Sequence, residues 1–230
     1  MLLNQSLQIL ETMKFRLLVA TLFLSPLLLA TPLKAENAQQ LEQLLETKQC
    51  VGCNLSQTSL KKANLVEANL SQSILIDTNL TNANLQGANL QGAKLRRAVL
   101  EHADLNQANL SRTGLLQANL RKAFLANVDL RNADLRRANL QRVKLWNADL
   151  RETNLRHADL RKAILTNASL SQAELNNADL RDAVLNRTAL DGANLWGAKL
   201  SSDTLINALL CNTTLPDGNV SNRDCDVLGT

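Results

Sequence analysis

Ala133-Asp134-Leu135-Arg136-Arg137-Ala138-Asn139-Leu140-Gln141-Arg142 is two copies of one five-residue rule: a small residue, Asn or Asp, leucine, then two polar residues. From Leu55 to Leu215 every fifth residue is leucine, 33 in succession. Of the 32 positions that stand two before a leucine, from Thr58 to Thr213, 22 are Ala and six are Thr, so the repeating apolar unit is a small residue plus leucine. The five positions are called here small, bridge, leucine, first corner and second corner.

A spacing of five suits neither common element. On an α-helix it advances about 500° per leucine, which winds the leucines around the cylinder instead of lining one face. The many Asn and Asp residues also weaken a helix. On a straight strand, odd spacing puts successive leucines on opposite faces. Small residue and leucine, however, are two apart and share one face of a short extended piece. If the remaining three-residue step turns the chain, every pair faces a common axis, and the result is a coil with leucine and alanine inside. Successive coils would exchange backbone hydrogen bonds at about 4.8 Å. The three prolines, Pro26, Pro32 and Pro216, all lie outside the array, as a ladder that uses its N–H donors requires.

Ala-Asn/Asp-Leu-x-x over 33 units resembles the pentapeptide-repeat family, and the match covers about 70% of the chain. That resemblance implies an all-β solenoid, a right-handed quadrilateral β-helix with four repeats per coil. About eight coils and a rod of roughly 40 Å follow. The flanks resemble exported cyanobacterial members: Leu44-Leu45-Glu46-Thr47-Lys48-Gln49-Cys50-Val51-Gly52-Cys53 as a helix and CxxC entry, Leu215-Pro216-Asp217-Gly218 as the exit. Asp203 departs from the pattern, with a carboxylate at a small position, and marks either an irregular last coil or an acceptor for loop amides.

The segments divide accordingly. Residues 1–35 carry Met13-Lys14-Phe15-Arg16, then a short apolar run broken at Ser25-Pro26, then small residues at Ala30 and Ala35. This is the pattern of a signal peptide cleaved after Ala35, with residues 1–12 an upstream extension and Met13 a candidate start. The run is shorter than the roughly 20 residues that span a bilayer, so no stable membrane span is expected after cleavage. Residues 36–49, with Leu41, Leu44 and Leu45 on one stripe, are expected to form a helix that caps the first coil. Residues 50–215 are the coil, and 216–230 a C-terminal cap or tail. The expected location is an exported one, the thylakoid lumen or periplasm.

Net charge is +4. Without residues 1–35 there are 22 basic and 20 acidic residues, too even a balance to argue for nucleic acid. With the four-repeat coil, Cys50 and Cys53 fall at one end and Cys211 and Cys225 at the other. Bridged Cα atoms lie within about 7 Å, so the possible intramolecular pairs are Cys50–Cys53 and Cys211–Cys225. The same distance excludes a four-cysteine metal site. A redox dithiol at Cys50 and Cys53 is the functional alternative, although here the motif follows a helix and enters a coil.

Outward residues are where function would have to live. With 20 residues per coil, Arg121, Lys122, Arg142, Arg161, Lys162 and Arg181 share a face. The neighbouring face adds Arg96, Arg97, Arg136, Arg137 and Arg156. Either these are solvated, ion-paired rows or they attract an anionic partner. Phe124, Trp146, Ile164, Val184 and Ile206 stack on another face as a candidate surface for a protein partner or a homo-oligomer. A filled rod offers no pocket for acid, base and nucleophile to converge, and Asp129 and Asp149 read as turn formers. The expectation is a non-enzymatic scaffold or interaction module without cofactor or metal. The alternatives are a thiol-redox factor and, as the resemblance also allows, a DNA mimic that protects a topoisomerase, which an exported, slightly basic chain disfavours.

Overall fold

The computed structural model describes residues 32–228. The expected signal segment lies outside them up to residue 31. Residues Glu36–Thr230 form one compact unit. The described residues open with helix α1 (Pro32–Thr47) and end with a short 3-10 helix (Ser202–Leu205), the two-residue strands β1 (Thr213–Thr214) and β2 (Val220–Ser221), and helix α2 (Cys225–Leu228). Everything between is coil of the expected kind. Parallel bridges join residues 20 apart, from Gln49↔Asn69 to Asn194↔Thr214, so four five-residue units complete each coil.

One repeat shows why the rule has this form. Leu120 N–H donates to Asn139 C=O of the next coil at 2.8 Å, Lys122 N–H to Gln141 C=O at 2.9 Å, and Asn119 N–H to Ala98 C=O of the preceding coil at 2.9 Å. Ala123 N–H closes the corner on Leu120 C=O at 3.0 Å. One donor is left, Arg121 N–H, and Asn119 Oδ1 accepts it at 3.2 Å. All five donors are satisfied, four by backbone and the last by the bridge-position amide, which is why Asn or Asp recurs there. Every second-corner residue from Gln57 to Gly197 has a positive φ, the mark of a type II turn. Most are not glycine, and the ladder bonds on both sides of each corner hold the strained conformation.

Leucine and small residue fill the interior. From Leu55 to Leu195 no array leucine is more than 2% exposed, each burial contributing about 1.5–3 kcal/mol before chain entropy. The repeat also begins one unit earlier than the leucines do. Cys50 occupies a leucine position, fully buried, with Gln49 in the first bridge and Gly52 at a positive-φ corner.

Flanking residues contact both ends of the array. At the first coil, Leu44 of α1 is buried in the core and Leu41 packs against it. Gln40 Oε1 accepts Asn54 N–H at 2.7 Å, Gln43 Nε2 donates to Gln49 C=O at 3.0 Å, and the Lys48 ammonium donates to Asn64 C=O. Leu45 does not join the expected stripe; it is 47% exposed, because Gln40, Leu44 and Lys48, four apart, form the edge-facing row. At the last coil the tail folds back. Asp224 N–H donates to Leu210 C=O at 2.8 Å, and its carboxylate accepts Leu210 N–H at 2.9 Å. Arg223 donates to the carbonyls of Leu205 and Ala208. Cys211–Cys225 pins the tail, and Cys50–Cys53 ties the entry. Such contacts remove the unpaired edges that invite strand addition.

The ladder is interrupted once among the described residues, at Val184, whose partner would be Thr204. Asp203 is the cause. A carboxylate cannot enter the apolar core unpaired, so Ser202–Leu205 winds into the 3-10 helix and Asp203 lies exposed. The ladder resumes one residue late, with Arg187 N–H on Asn207 C=O at 2.7 Å.

Candidate functional site

The outer surface is made of three columns per face: bridge, first corner and second corner residues stacked at each coil. Where a bridge Asp is followed two residues later by Arg, the two form a closed clamp. Arg131 Nε and Nη2 donate to both oxygens of Asp129 at 3.0 and 2.7 Å while Arg131 N–H donates to Oδ1 at 3.0 Å. Asp134–Arg136, Asp149–Arg151, Asp159–Arg161 and Asp179–Arg181 repeat this. Arg hydrogen bonding holds Asp129, Asp134 and Asp179 below the usual carboxylate range. At Asp149 and Asp159 burial pushes upward as the largest influence, and the combined hydrogen bonds and charge of Arg151 and Arg161 outweigh it. These carboxylates are ionised acceptors, suited to turn closure and not to acid–base work.

The clamps change the reading of the basic face. Arg161 and Arg181 are held by Asp159 and Asp179, and Arg121 by Glu101 at 2.7 Å. Among the described residues Lys122, Arg142 and Lys162 form no ion pair and stack on successive coils. Gln141, Arg142, Arg161, Lys162, Arg181, Asp182 and Ser201 line an open groove of about 410 Å³. On the neighbouring face Arg97 pairs with Asp77, Arg136 with Asp134 and Arg156 with Glu174. About half of the expected basic surface is therefore neutralised within the chain.

The apolar residues do share a face. Phe124, Lys144, Ile164 and Val184 are consecutive partners in one bridge column, with Trp146 at a first corner beside it; Ile206 follows the 3-10 helix, and Asn207 takes the first-corner place of that coil. Trp146 is 37%, Val184 38% and Ile206 61% exposed. Lys144, which periodicity alone did not single out, lies between the rings: its ammonium is 4.5 Å from the Phe124 ring centre and 5.4 Å from that of Trp146, within cation–π range. Bridge-position Asn and Asp are absent here, so their service to the corner N–H is lost. Asn106 Oδ1 of the preceding coil rescues Ala126 N–H at 2.7 Å, whereas among the described residues the N–H groups of Trp146, Thr166 and Asn186 find no acceptor. Trp196 and Val220, exposed near the tail, were not distinguishable in the sequence from other corner and tail residues.

Cys50 is buried beneath α1, and Cys53 is 7% exposed at a small position. No group of His, Cys, Asp or Glu among the described residues is placed to hold a metal ion, and no described helix is long and apolar enough to cross a membrane.

A filled coil whose only variable parts are its outward columns is a repeat protein of the solenoid class. The family described as "Pentapeptide repeats" matches in eight copies over residues 49–75, 73–112, 93–137, 115–147, 133–172 and 168–202, and the chain belongs to it. The fold is that family's right-handed β-helix. Among solved structures, the chain is similar to HetL, a pentapeptide repeat protein involved in heterocyst differentiation regulation in Nostoc sp. strain PCC 7120, at 36% identity over 75% of this chain and 81% of that one, with a TM-score of 0.45. A trypsin-treated form of QnrB1, a plasmid-mediated fluoroquinolone resistance protein, shares 17% identity over 78% and 97% of the two chains, TM-score 0.58. A pentapeptide repeat protein from the Arabidopsis thaliana thylakoid lumen shares 27% over 50% and 82%, TM-score 0.39. Comparison with curated proteins finds no match.

Proposed function

We propose that the chain is a non-enzymatic scaffold, a rod of about eight coils closed by α1 and by the tail, which docks a protein on the face of Phe124, Trp146, Ile164, Val184 and Ile206. The observation that carries this is the exchange of residue type on that face. The repeat gives up the bridge-position amide, which completes its own hydrogen bonding, and puts apolar side chains in its place over successive coils. A departure from local self-consistency without a local gain is the mark of a surface shaped for something else. The unpaired Lys122, Arg142 and Lys162 form an electrostatic rim that favours partners of negative charge.

Export to the thylakoid lumen or periplasm belongs to the same reading. It is supported by the basic and apolar segment from Met13 and by two disulfides, which persist in oxidising compartments. The thiol-redox alternative is disfavoured by the burial of Cys50 and Cys53, since exchange needs an attacking thiolate to reach sulfur. The DNA-mimic reading lacks the acidic surface it would need.

The test is capture from the exported fraction with the wild-type chain, Trp146→Glu, and the double variant Lys122→Glu with Lys162→Glu. Loss of a bound protein in the first variant is the expected result. Capture that survives Trp146→Glu unchanged would remove the face from consideration. Fractionation of the tagged full chain checks the location: a processed, disulfide-bonded product outside the cytosol is expected, and an unprocessed cytosolic one contradicts export.

A further inference from the structure

Two neighbouring columns change character together. Bridge residues Asn64, Asn84 and Asp104 follow the repeat's rule, and from the next coil onward the same column reads Phe124, Lys144, Ile164, Val184. Two residues before each stands a second corner, and that column reads Lys62, Asn82, His102, then Lys122, Arg142, Lys162, then Asp182. The run of cations begins beside Phe124 and ends beside Ile164. Elsewhere the rod answers several corner arginines with a carboxylate one coil away, as Arg97 with Asp77 and Arg121 with Glu101. Here the three cations stand on successive coils, with Lys122 N–H on Gln141 C=O and Arg142 N–H on Arg161 C=O, and like charges so stacked repel. A stack of unanswered charge beside a row of apolar side chains, over the same coils, is what one ligand touching both requires.

Spacing selects the form of that ligand. Successive coils are about 4.8 Å apart, so Lys122 and Lys162 lie about 9.6 Å apart along the rod. Two turns of an α-helix advance about 10.8 Å, a mismatch of about 1 Å that flexible Lys and Arg stems absorb. Same-face residues of an extended strand recur about every 6.8 Å, so three of them span about 13.6 Å and run out of step by about 4 Å. Across the rod, the cationic and apolar columns are two residues apart, at most about 7 Å. A helix with its side chains is about 10–12 Å wide. Laid along the rod, it touches both columns at once with two adjoining stripes.

We propose that the occupant of this face is an acidic amphipathic α-helix of a partner protein. Its carboxylates, at i, i+3 and i+7, meet Lys122, Arg142 and Lys162, and its adjoining apolar stripe packs on Phe124, Ile164 and Val184. The inference rests on the reading of the face as a protein-docking surface, and it names the partner's chemistry. On the far side of the apolar column stands Trp146. The Lys144 ammonium lies over the Phe124 and Trp146 rings at 4.5 and 5.4 Å, so the stem of Lys144 adds to the apolar floor. Asp182 ends the cationic row and limits the matching acidic stripe to about two turns of helix.

Fluorescence anisotropy of a labelled peptide, titrated with the chain recovered from the exported fraction, tests this. The probe is an Ala-rich helix of about five turns with Glu at i, i+3 and i+7 beside a stripe of Leu. Saturable binding that weakens with added salt is expected. A peptide of the same composition, scrambled to abolish both stripes, should bind at least about tenfold more weakly. The striped peptide should lose as much against Arg142→Glu and against Ile164→Asn. The coil accommodates both substitutions: Glu67 and Glu152 hold the same corner conformation, and Asn is the repeat's own bridge residue. Circular dichroism checks that the coil is retained. A striped peptide with Lys for its middle Glu should bind Arg142→Glu better than it binds the wild type. The proposal is overturned if the scrambled peptide binds as well as the striped one. It is overturned equally if Ile164→Asn leaves affinity unchanged while Arg142→Glu abolishes it, which is the behaviour of a simple polyanion site. Vesicles of phosphatidylglycerol that bind the chain when the striped peptide does not would point to a lipid surface instead. If the striped peptide fails to bind but capture of a protein is still lost on Trp146→Glu, the acidic helix fails while the docking face stands. If the peptide fails and capture does not respond to Trp146→Glu, both fail.

Discussion

The column Asn69, Asn89, Asn109, Asp129, Asp149 and the column Phe124, Lys144, Ile164, Val184 hold the same place in the repeat on adjacent faces, and they behave oppositely. In the first, each side chain turns back on its own chain: Asn109 Oδ1 accepts Ser111 N–H at 3.0 Å, and Asp149 accepts both the N–H and the guanidinium of Arg151. Nothing is left to offer a partner. In the second, the side chains do nothing for the corner N–H groups, and those of Trp146, Thr166 and Asn186 are open. The core is the same behind both, Leu150 under one and Leu145 under the other, each fully buried. The rod separates the work of holding itself together from the work of meeting something else, and it does so by changing one position in five.

The largest effects should not distinguish the faces at all. Leu145→Ala and Leu150→Ala are each expected to cost about 2–5 kcal/mol in urea denaturation; a clear difference between them would show that the two faces cover unequal interiors. The next effect should separate them. Asp149→Ala is expected to destabilise by about 1 kcal/mol through the abandoned Arg151 N–H and ion pair. Val184→Ala, at a half-exposed position, should stay within about 0.5 kcal/mol.

How much of this could be read in advance follows the same division. The leucine ladder is local and periodic, so the inward positions were plain, and so was the turn-forming role of Asp129 and Asp149. Facing across coils was legible only once a period of 20 was supplied, and spacing alone does not supply it. Pairs such as Arg121 with Glu101 or Lys144 with Phe124, 20 residues apart, are therefore invisible to a reading by adjacent residues. The ends were harder still. Cys50 replaces a leucine without resembling one, Leu45 loses the edge to Gln40 and Lys48 because hydrogen bonding to the edge's open N–H and C=O groups outweighs one more apolar contact there, and Asp203 announced an irregularity without saying that the chain would wind outward.

Acid should weaken the clamped faces and leave the apolar one alone. In the folded chain Asp129, Asp134, Asp149, Asp159 and Asp179 sit below their ordinary value of 3.8. Their contribution is thus fully present above that pH and is lost as pH falls through the depressed folded values. Thermal unfolding followed from pH 6 down to about pH 2 should show a smaller acid-induced drop for Asp129→Asn with Asp149→Asn than for the wild type; equal drops would mean the clamps carry no stability. The smallest effect belongs to Lys144→Ala, which removes a cation from between two rings at a cost of about 0.5–1 kcal/mol, detectable as a small loss of thermal stability together with a change in Trp146 fluorescence.

The most direct measurement restores the repeat's own rule to the face that breaks it. A triple variant, Phe124→Asn, Ile164→Asn and Val184→Asn, is compared with the wild type by thermal unfolding and by capture from the exported fraction. The expected result is a coil at least as stable as the wild type, the N–H groups of Thr166 and Asn186 now satisfied by the new amides, that no longer captures a protein. A variant that unfolds more readily, or one that still captures the same protein, would contradict the separation of scaffold from working surface.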